Sequence, residues 1–522
     1  MRAAALAALG VGLGLAACGA HAARPAATAP LASRGSVDPV ARLLAFVPAG
    51  ATFVLVRDQH AGELDPFGGR QAMQLVSASR TLLDDQADPA QAFVAAILDQ
   101  VLATPAAAGE VVGWHEGESI AVLYGAGADT VLRATLDGAR LRALLERTAA
   151  RTGYTLPLAS WQGRPYYRID LSVRAGLSIV VLLDDHGLAA ALTDDPDHAI
   201  EQLAADHLDG PRLDVAPAMA AVFPDHEADA RFSGAFYPDR LAVALSWAAA
   251  RHPGWPGACA RALGGLLRAT PSAFVGWRGT ASHFETVMLL DVSDHALDRL
   301  EHAARRIPRW SRTSPDLQVG VGMSPRTLLE VGEPWFAAFD ALGAGCGVGG
   351  GGAVAGLKQA LALAPMAHID ALSVDFDPEK KTMAAAIAAR DQAALWASIR
   401  TLLPTLRPQP PAPLEQITQQ LSFPSLVFHG GTDALGVGTS VGTLDEAGAA
   451  VGAFMASAPG PDALFAVDFG RAFIDLMKQT SGVQDVPRTV TQFSLHARLR
   501  DRRVRIEMTV GLSAPPRGPL VH

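Results

Sequence analysis

The chain has 522 residues, which is enough for two to four domains that each bury a core. Hydrophobic residues make up 49% of the chain and charged residues 18%, a balance that excludes a largely disordered protein. The net charge of −9 is spread along the chain and leaves no basic surface for a phosphate backbone, so we expect no nucleic-acid partner.

Residues 1–17 are predicted to be a signal peptide. Arg2 precedes a run of small and apolar residues that is too short to span a bilayer, which needs about 20 apolar residues. The run closes with Leu15-Ala16-Ala17-Cys18, followed by Gly19. This tetrad resembles the lipobox of bacterial lipoproteins, in which the signal is cut before a cysteine that carries the lipid.

That resemblance implies an anchor in the membrane through lipid on Cys18. A residue other than Asp after the cysteine, here Gly19, is similar to the pattern of lipoproteins kept in the outer membrane. An ordinary signal peptide with Cys18 incidental is the alternative. Residues 18–38 are rich in Ala, Pro and Ser without an apolar period, which predicts a flexible tether.

Beyond the tether, short alternating runs of strand type are grouped in hairpins between runs of helical spacing. Because strict βαβ alternation is absent, this order predicts an α+β fold of mostly antiparallel sheets packed with helices. Helices are predicted at 71–102, 138–151, 197–206, 293–306, 326–342, 392–403, 444–456 and 471–479. Strands are predicted at 52–57, 119–124, 130–136, 178–183, 188–193, 231–237, 273–278, 284–290, 317–323, 372–376, 425–428, 435–440, 463–469, 491–495 and 504–509.

The same order of elements occurs twice along the chain. The best local match sets residues 178–193 against 425–440, each with a turn in the middle and a hydroxyl residue at the end. We therefore expect two tandem α+β modules, residues 39–312 and 313–522, with the boundary in the proline-containing stretch 307–315. The proline cluster at 404–413 is an alternative boundary. The pattern resembles duplicated α+β lipoproteins of bacterial envelopes, which implies a location and no chemistry.

Ser440 lies in Gly438-Thr439-Ser440-Val441-Gly442, which matches the G-x-S-x-G turn that exposes the nucleophile of serine hydrolases. His429 or His496 would then be the base. When the two repeats are aligned, however, Ser440 corresponds to Thr193. At that position a Thr or Asp ahead of Pro196 serves as a helix cap. The sequence favours a cap at Ser440 and keeps the nucleophile as the alternative.

We expect neither a cofactor nor a metal ion. The glycine tract 343–352 contains a G-x-G-x-x-G match, but it follows a helical run, whereas a dinucleotide site needs a preceding strand. The acidic and histidine pairs around residues 184–227 have neither the helical His spacing of zinc enzymes nor a calcium-loop pattern. Asp194, Asp195 and Asp197 are better explained as residues that cap a helix start.

Cys259 and Cys346 are the cysteines that remain once Cys18 carries lipid. An even count in an oxidising compartment predicts a disulfide between them, which would join the two repeats. Two separate buried thiols are the alternative.

Together these features predict a lipid-anchored extracytoplasmic protein of the bacterial envelope, in the outer membrane and facing the periplasm or the surface. We expect it to bind or scaffold rather than catalyse, with an apolar small molecule or an envelope protein as partner. A serine hydrolase that uses Ser440 is the alternative. An apolar cavity would favour the binder, and a histidine within hydrogen-bond reach of Ser440 would favour the enzyme.

Overall fold

A computed structural model of the chain provides the structure, and Cys18 and Ser440 lie outside the residues it describes. These residues are 39–57, 77, 80–81, 83, 88–103, 111–115, 118–127, 129–172, 176–184, 187–205, 210–224, 230–251, 257–279, 282–303, 317–346, 355–356, 358–359, 367–377, 382–389, 391–402, 427–430, 434–438, 464–471, 474–475 and 490–513.

The chain divides into two compact units, one formed by segments 1–260 and 274–276 and the other by 261–273 and 277–522. The predicted boundary at 312/313 lies in a stretch outside the described residues. The fold is α+β with antiparallel strand pairing, as the sequence predicts. Among the described residues, no helix combines the length and the hydrophobicity that crossing a membrane requires.

The first unit is built on eight described strands that pair antiparallel in the order β8-β1-β2-β3-β7-β6-β5-β4. They are β1 (Phe53–Arg57), β2 (Ala121–Ala126), β3 (Asp129–Thr135), β4 (Leu158–Trp161), β5 (Arg164–Ser172), β6 (Leu177–Leu183), β7 (Gly187–Thr193) and β8 (Arg231–Phe236). The helices that begin in this unit are α1 (Pro39–Leu44), α2 (Pro89–Ala103), α3 (Gly138–Thr152), α4 (Pro196–Ala204), α5 (Ala216–Val222), α6 (Pro238–Arg251) and α7 (Gly257–Ala269).

Both faces of this sheet are buried, because alternate residues of its strands join two separate cores. Leu123 of β2 packs in the core that holds Phe93 of α2 and Leu144 of α3. Its neighbour Val122 packs in the core that holds Ile200 of α4. The two-residue period of β2 thus directs neighbouring side chains to helices on opposite sides of the sheet.

The second unit pairs its strands in the order β14-β15-β13-β12-β11-β16-β17-β18-β10, again antiparallel. The remaining strands are β9 (Ser272–Gly279), β10 (His283–Asp291), β11 (Leu317–Val321), β12 (Ala371–Asp377), β13 (Thr382–Ala388), β14 (Val427–Gly430), β15 (Ala434–Gly438), β16 (Phe465–Phe469), β17 (Val490–Arg500) and β18 (Arg503–Leu512). The remaining helices are α8 (Asp294–Ala303), α9 (Pro325–Cys346) and α10 (Gln392–Leu402).

The strand order of the first unit recurs in the second. In the first, β6-β7-β3-β2-β1-β8 are neighbours, and in the second the corresponding strands β14-β15-β13-β12-β11-β16 follow the same order. The hairpin that closes the first sequence repeat behaves differently, because β10 pairs with β18 along eight residue pairs. This pairing accounts for the assignment of β10 to the second unit.

Candidate functional site

A cleft of about 510 Å³ lies between α2 and α3 in the first unit. Four of the described residues that line it are apolar or small: Ala103, Val111, Ala143 and Leu144. The other three carry polar groups: Gln100, Arg140 and Arg147. The cleft therefore combines an apolar floor with two guanidinium groups.

The α3 wall of the cleft follows from the spacing of its residues. Arg140, Ala143, Leu144 and Arg147 recur at helical intervals of three and four, which puts them on one face of α3. Asp137 fixes where that helix begins, since its Oδ1 accepts from Arg140 N at 3.0 Å. The positions of both arginines relative to the cleft are thus set by a capped helix start.

The α2 wall is joined to α3 by a partly buried polar contact. Gln100 Nε2 donates to Thr148 Oγ1 at 2.7 Å and to Ala96 O at 3.1 Å. Thr148, which is 1% exposed, donates in turn to Leu144 O at 2.8 Å. The two acceptors of Gln100 are a backbone carbonyl of α2 and the Thr148 hydroxyl, which is itself hydrogen-bonded. They hold the Gln100 side chain in place at the cleft.

The charge at the cleft is positive. No carboxylate is among the described residues that line it, whereas Arg140 and Arg147 contribute two guanidinium groups. Arg140 Nε lies 3.7 Å from Asp137 Oδ2, and Arg147 has no ion-pair partner among the described residues. An anion that entered the cleft would meet two cations beside apolar carbon.

One of the two predicted base candidates, His496, has an acidic partner in the second unit. His496 of β17 lies with Nε2 at 3.0 Å from Asp468 Oδ1 on the neighbouring strand β16, and both side chains are half-buried. A carboxylate in this position fixes the orientation of an imidazole and leaves Nδ1 for a second partner.

Charged residues continue from His496 onto β18. Burial raises the pKa of Glu507, but the hydrogen bond from Arg505 Nε at 2.7 Å and the charges of Arg498 and Arg505 outweigh it, so the pKa lies below its usual value. Arg498 Nη2 is 3.0 Å from Glu507 Oε2. Glu507 thus stays ionised between two cations, as a structural ion-pair network requires.

The other parts of the predicted hydrolase site are not brought together among the described residues. Ser440 and its G-x-S-x-G turn lie outside them, as does Cys18. His429 lies on β14, where its backbone is opposite Gly436 of β15. Of the two predicted base candidates, the structure therefore shows His496 beside a carboxylate, and the predicted nucleophile Ser440 lies outside the described residues.

Cys259 and Cys346 are each disulfide-bonded in the structure. Cys259 belongs to α7 and is 8% exposed, and Cys346 is the last residue of α9. The helix α9 thus extends beyond its predicted end at 342 and includes the start of the glycine tract. The bond between Cys259 and Cys346 that the sequence predicts is compatible with both observations.

The acidic residues near 194 act largely as the sequence indicates. Asp195 is the N-cap of α4, with Oδ1 accepting from His198 N at 3.2 Å. Burial raises the pKa of the nearby Asp129 to about 6, and the charges of Asp194 and Asp195 add to the rise. Within the described part of the chain, no group of three or more His, Cys, Asp or Glu side chains is arranged to hold a metal ion.

The cleft residues were missed by sequence reasoning. Arg140 and Arg147 are seven residues apart on a predicted helix, which indicates only a polar helix face. The opposite wall at Gln100 and Ala103 could not be assigned to the same site, because nothing local in the sequence shows which two helices become neighbours.

Comparison with protein-family models, with curated proteins and with solved structures finds no match to this chain. What the site does must follow from its geometry and its chemistry.

Proposed function

We propose that the protein is a lipid-anchored binding protein of the bacterial envelope, which holds a small amphipathic molecule in the cleft between α2 and α3. The observation that carries this proposal is the cleft itself. Its volume of about 510 Å³ lies within the range of about 300–1,000 Å³ that is usual for small-molecule sites. The lipobox at Cys18 supports the cellular location.

The lining favours a ligand that is partly apolar. Leu144 is 1% exposed and contributes to the buried core, so the floor of the cleft cannot be remodelled without disturbing that core. Gln100 is held by Thr148 at 2.7 Å, which gives the cleft a fixed polar group. Because these side chains are already held in place, little conformational entropy is lost when a ligand binds.

A tryptophan in the cleft tests the proposal. Nile red, a neutral dye that fluoresces in apolar surroundings, should bind the full chain with a single site per protein. Ala143→Trp should fill the cleft and abolish this binding, whereas Ala250→Trp, at an exposed position of α6, should not change it. Equal loss in both variants, or no binding to the unsubstituted chain, would contradict the proposal.

A serine hydrolase is the second candidate, favoured by the contact of His496 with Asp468 at 3.0 Å. A fluorophosphonate probe distinguishes it from a binding protein, because the probe labels only an activated serine. The binding function predicts no labelling of Ser440. Labelling that Ser440→Ala and His496→Ala both remove would instead establish the hydrolase.

A further inference from the structure

The two arginines of the cleft lie on one side of α3, beside its apolar floor. Arg140 and Arg147 flank Ala143 and Leu144 in the lining. Seven residues of helix correspond to about 10 Å along the axis. The long arginine side chains can span that distance, so their guanidinium groups can approach one anion from two sides.

Guanidinium groups select particular anions. Each presents paired N–H donors that match the two oxygens of a carboxylate or the oxygens of a phosphate group, and the charge persists at every physiological pH. The whole chain carries a net charge of −9, whereas the described residues that line the cleft include two arginines, Arg140 and Arg147, and no carboxylate.

The arginines of α3 outside the cleft are occupied by protein groups. Arg142 lies close enough to the Tyr167 hydroxyl to oppose the rise that burial causes in the pKa of that phenol, and Arg151 Nη2 donates to Ala96 O at 3.4 Å. Within the cleft, Arg140 is near Asp137, whereas the described residues offer Arg147 no ion-pair partner. Arg147 is therefore the cation that a bound anion would engage most strongly.

We infer that the cleft binds a single-chain amphiphile with an anionic headgroup, a carboxylate or a phosphate, whose chain lies against Leu144, Val111, Ala143 and Ala103. This inference rests on the proposed function and specifies the class of its ligand. The headgroup pairs with Arg147 and Arg140, and the alkyl chain covers the apolar floor. Arg147 is the residue that determines specificity for the headgroup.

Matched probes test the headgroup. Cys18→Ser prevents lipidation, so this form of the full chain can be studied without detergent. Titration calorimetry then compares its affinity for dodecanoate and dodecyl phosphate with its affinity for dodecanol and dodecyltrimethylammonium. We expect each anionic probe to bind at least tenfold more tightly than dodecanol, since charge-assisted pairs are the strong ones. Acetate and inorganic phosphate, which lack a chain, should bind at least tenfold more weakly than the matching amphiphile.

Substitutions test the arginines. Arg147→Gln should reduce the preference for dodecanoate over dodecanol about tenfold, and Arg147→Lys should restore part of it. Arg140→Gln should have a smaller effect, because Asp137 already lies 3.7 Å from that guanidinium. Arg142→Gln, the same change on another side of α3, should leave the preference unchanged.

The outcomes separate the inference from the proposed function. Equal affinity for dodecanoate and dodecanol would show that the cleft does not select an anionic headgroup, and the proposed binding function would still stand. Binding of acetate or phosphate as tight as that of the amphiphiles would overturn the alkyl chain and show a site for a free anion. If no amphiphile binds at all, the proposed function fails together with the inference.

Discussion

Gln100 and Thr148 are joined across the cleft walls by a hydrogen bond of 2.7 Å from Nε2 to Oγ1. Thr148 is almost fully buried, so the acceptor of this bond between α2 and α3 is shielded from water. It links the residue that contributes a polar group to the cleft with the helix that contributes both arginines.

Removing the acceptor should cost stability. Thr148→Val leaves one N–H of Gln100 without its partner, and we expect a loss of about 1–2 kcal/mol in the free energy of unfolding. Gln100→Met removes the donor, and the double variant should cost less than the sum of the single ones. Urea unfolding of the four proteins measures this coupling, and simple additivity would contradict the assigned bond.

Asp129 should make the first unit less stable as the pH rises. Burial raises its pKa to about 6 in the folded chain, whereas an unfolded Asp titrates near pH 4. Between these values the folded state holds more protons than the unfolded state, so the free energy of unfolding falls with increasing pH through that window. The stabilisation is complete below about pH 4 and lost above about pH 6.

Asp129→Asn removes this titration. We expect the variant to be more stable than the unsubstituted chain above about pH 6, by at most about 3 kcal/mol, and equal to it below about pH 4. Urea midpoints at several pH values measure the difference. Asp501→Asn, at a side chain that is 88% exposed, is the control and should follow the unsubstituted chain. A constant offset of Asp129→Asn at every pH would refute the prediction.

Strands could be predicted from the sequence where their hydrophobic pattern is visible within a few neighbouring residues. Strands expected at 178–183 and 188–193 are β6 and β7, which begin one residue earlier at Leu177 and Gly187. Their alternating residues face two different cores, which is the origin of the period that the sequence shows. The recurring order of elements along the chain was predictable from the same local signals, whereas the pairing of the strands in each sheet was not.

Other elements could not be predicted from local patterns. The helix expected over 71–102 is described as α2 from Pro89, where Asp88 Oδ1 accepts from Ala90 N at 2.8 Å. The helix α7 includes Gly264 and Gly265, whose low helix propensity hid it. The hairpin of β4 and β5 turns at Gln162 and Gly163, which both have positive φ.

The disulfide should contribute substantially to stability. Cys259 and Cys346 are disulfide-bonded in the structure, and a bond between them closes a loop of roughly 90 residues, worth about 4–5 kcal/mol in the chain-entropy model. We expect no free thiol on the mature body when the unreduced protein is unfolded, and a thermal midpoint that reductant lowers. The double variant Cys259→Ser, Cys346→Ser should not respond to reductant. Two titratable thiols in the unreduced chain would contradict this prediction.

Cys18 should determine the location of the protein. Because the lipobox cysteine carries the lipid in the proteins that this segment resembles, Cys18→Ser should move the chain from the membrane fraction to the soluble extracytoplasmic fraction. Fractionation of cells that express each form measures the change. Asp501→Asn, at an exposed side chain, is the control, and an unchanged membrane fraction for Cys18→Ser would refute the anchor.

The position of a bound amphiphile tests the account most directly. Dodecanoate with a photoactivatable diazirine at the end of its chain would be irradiated with the full chain, and the labelled peptides identified by mass spectrometry. We predict labels confined to the lining of the cleft, on 100–103, 111 and 140–147, and lost when unlabelled dodecanoate is in excess. Labels scattered over both units, or labels that excess dodecanoate does not displace, would contradict a ligand site between α2 and α3.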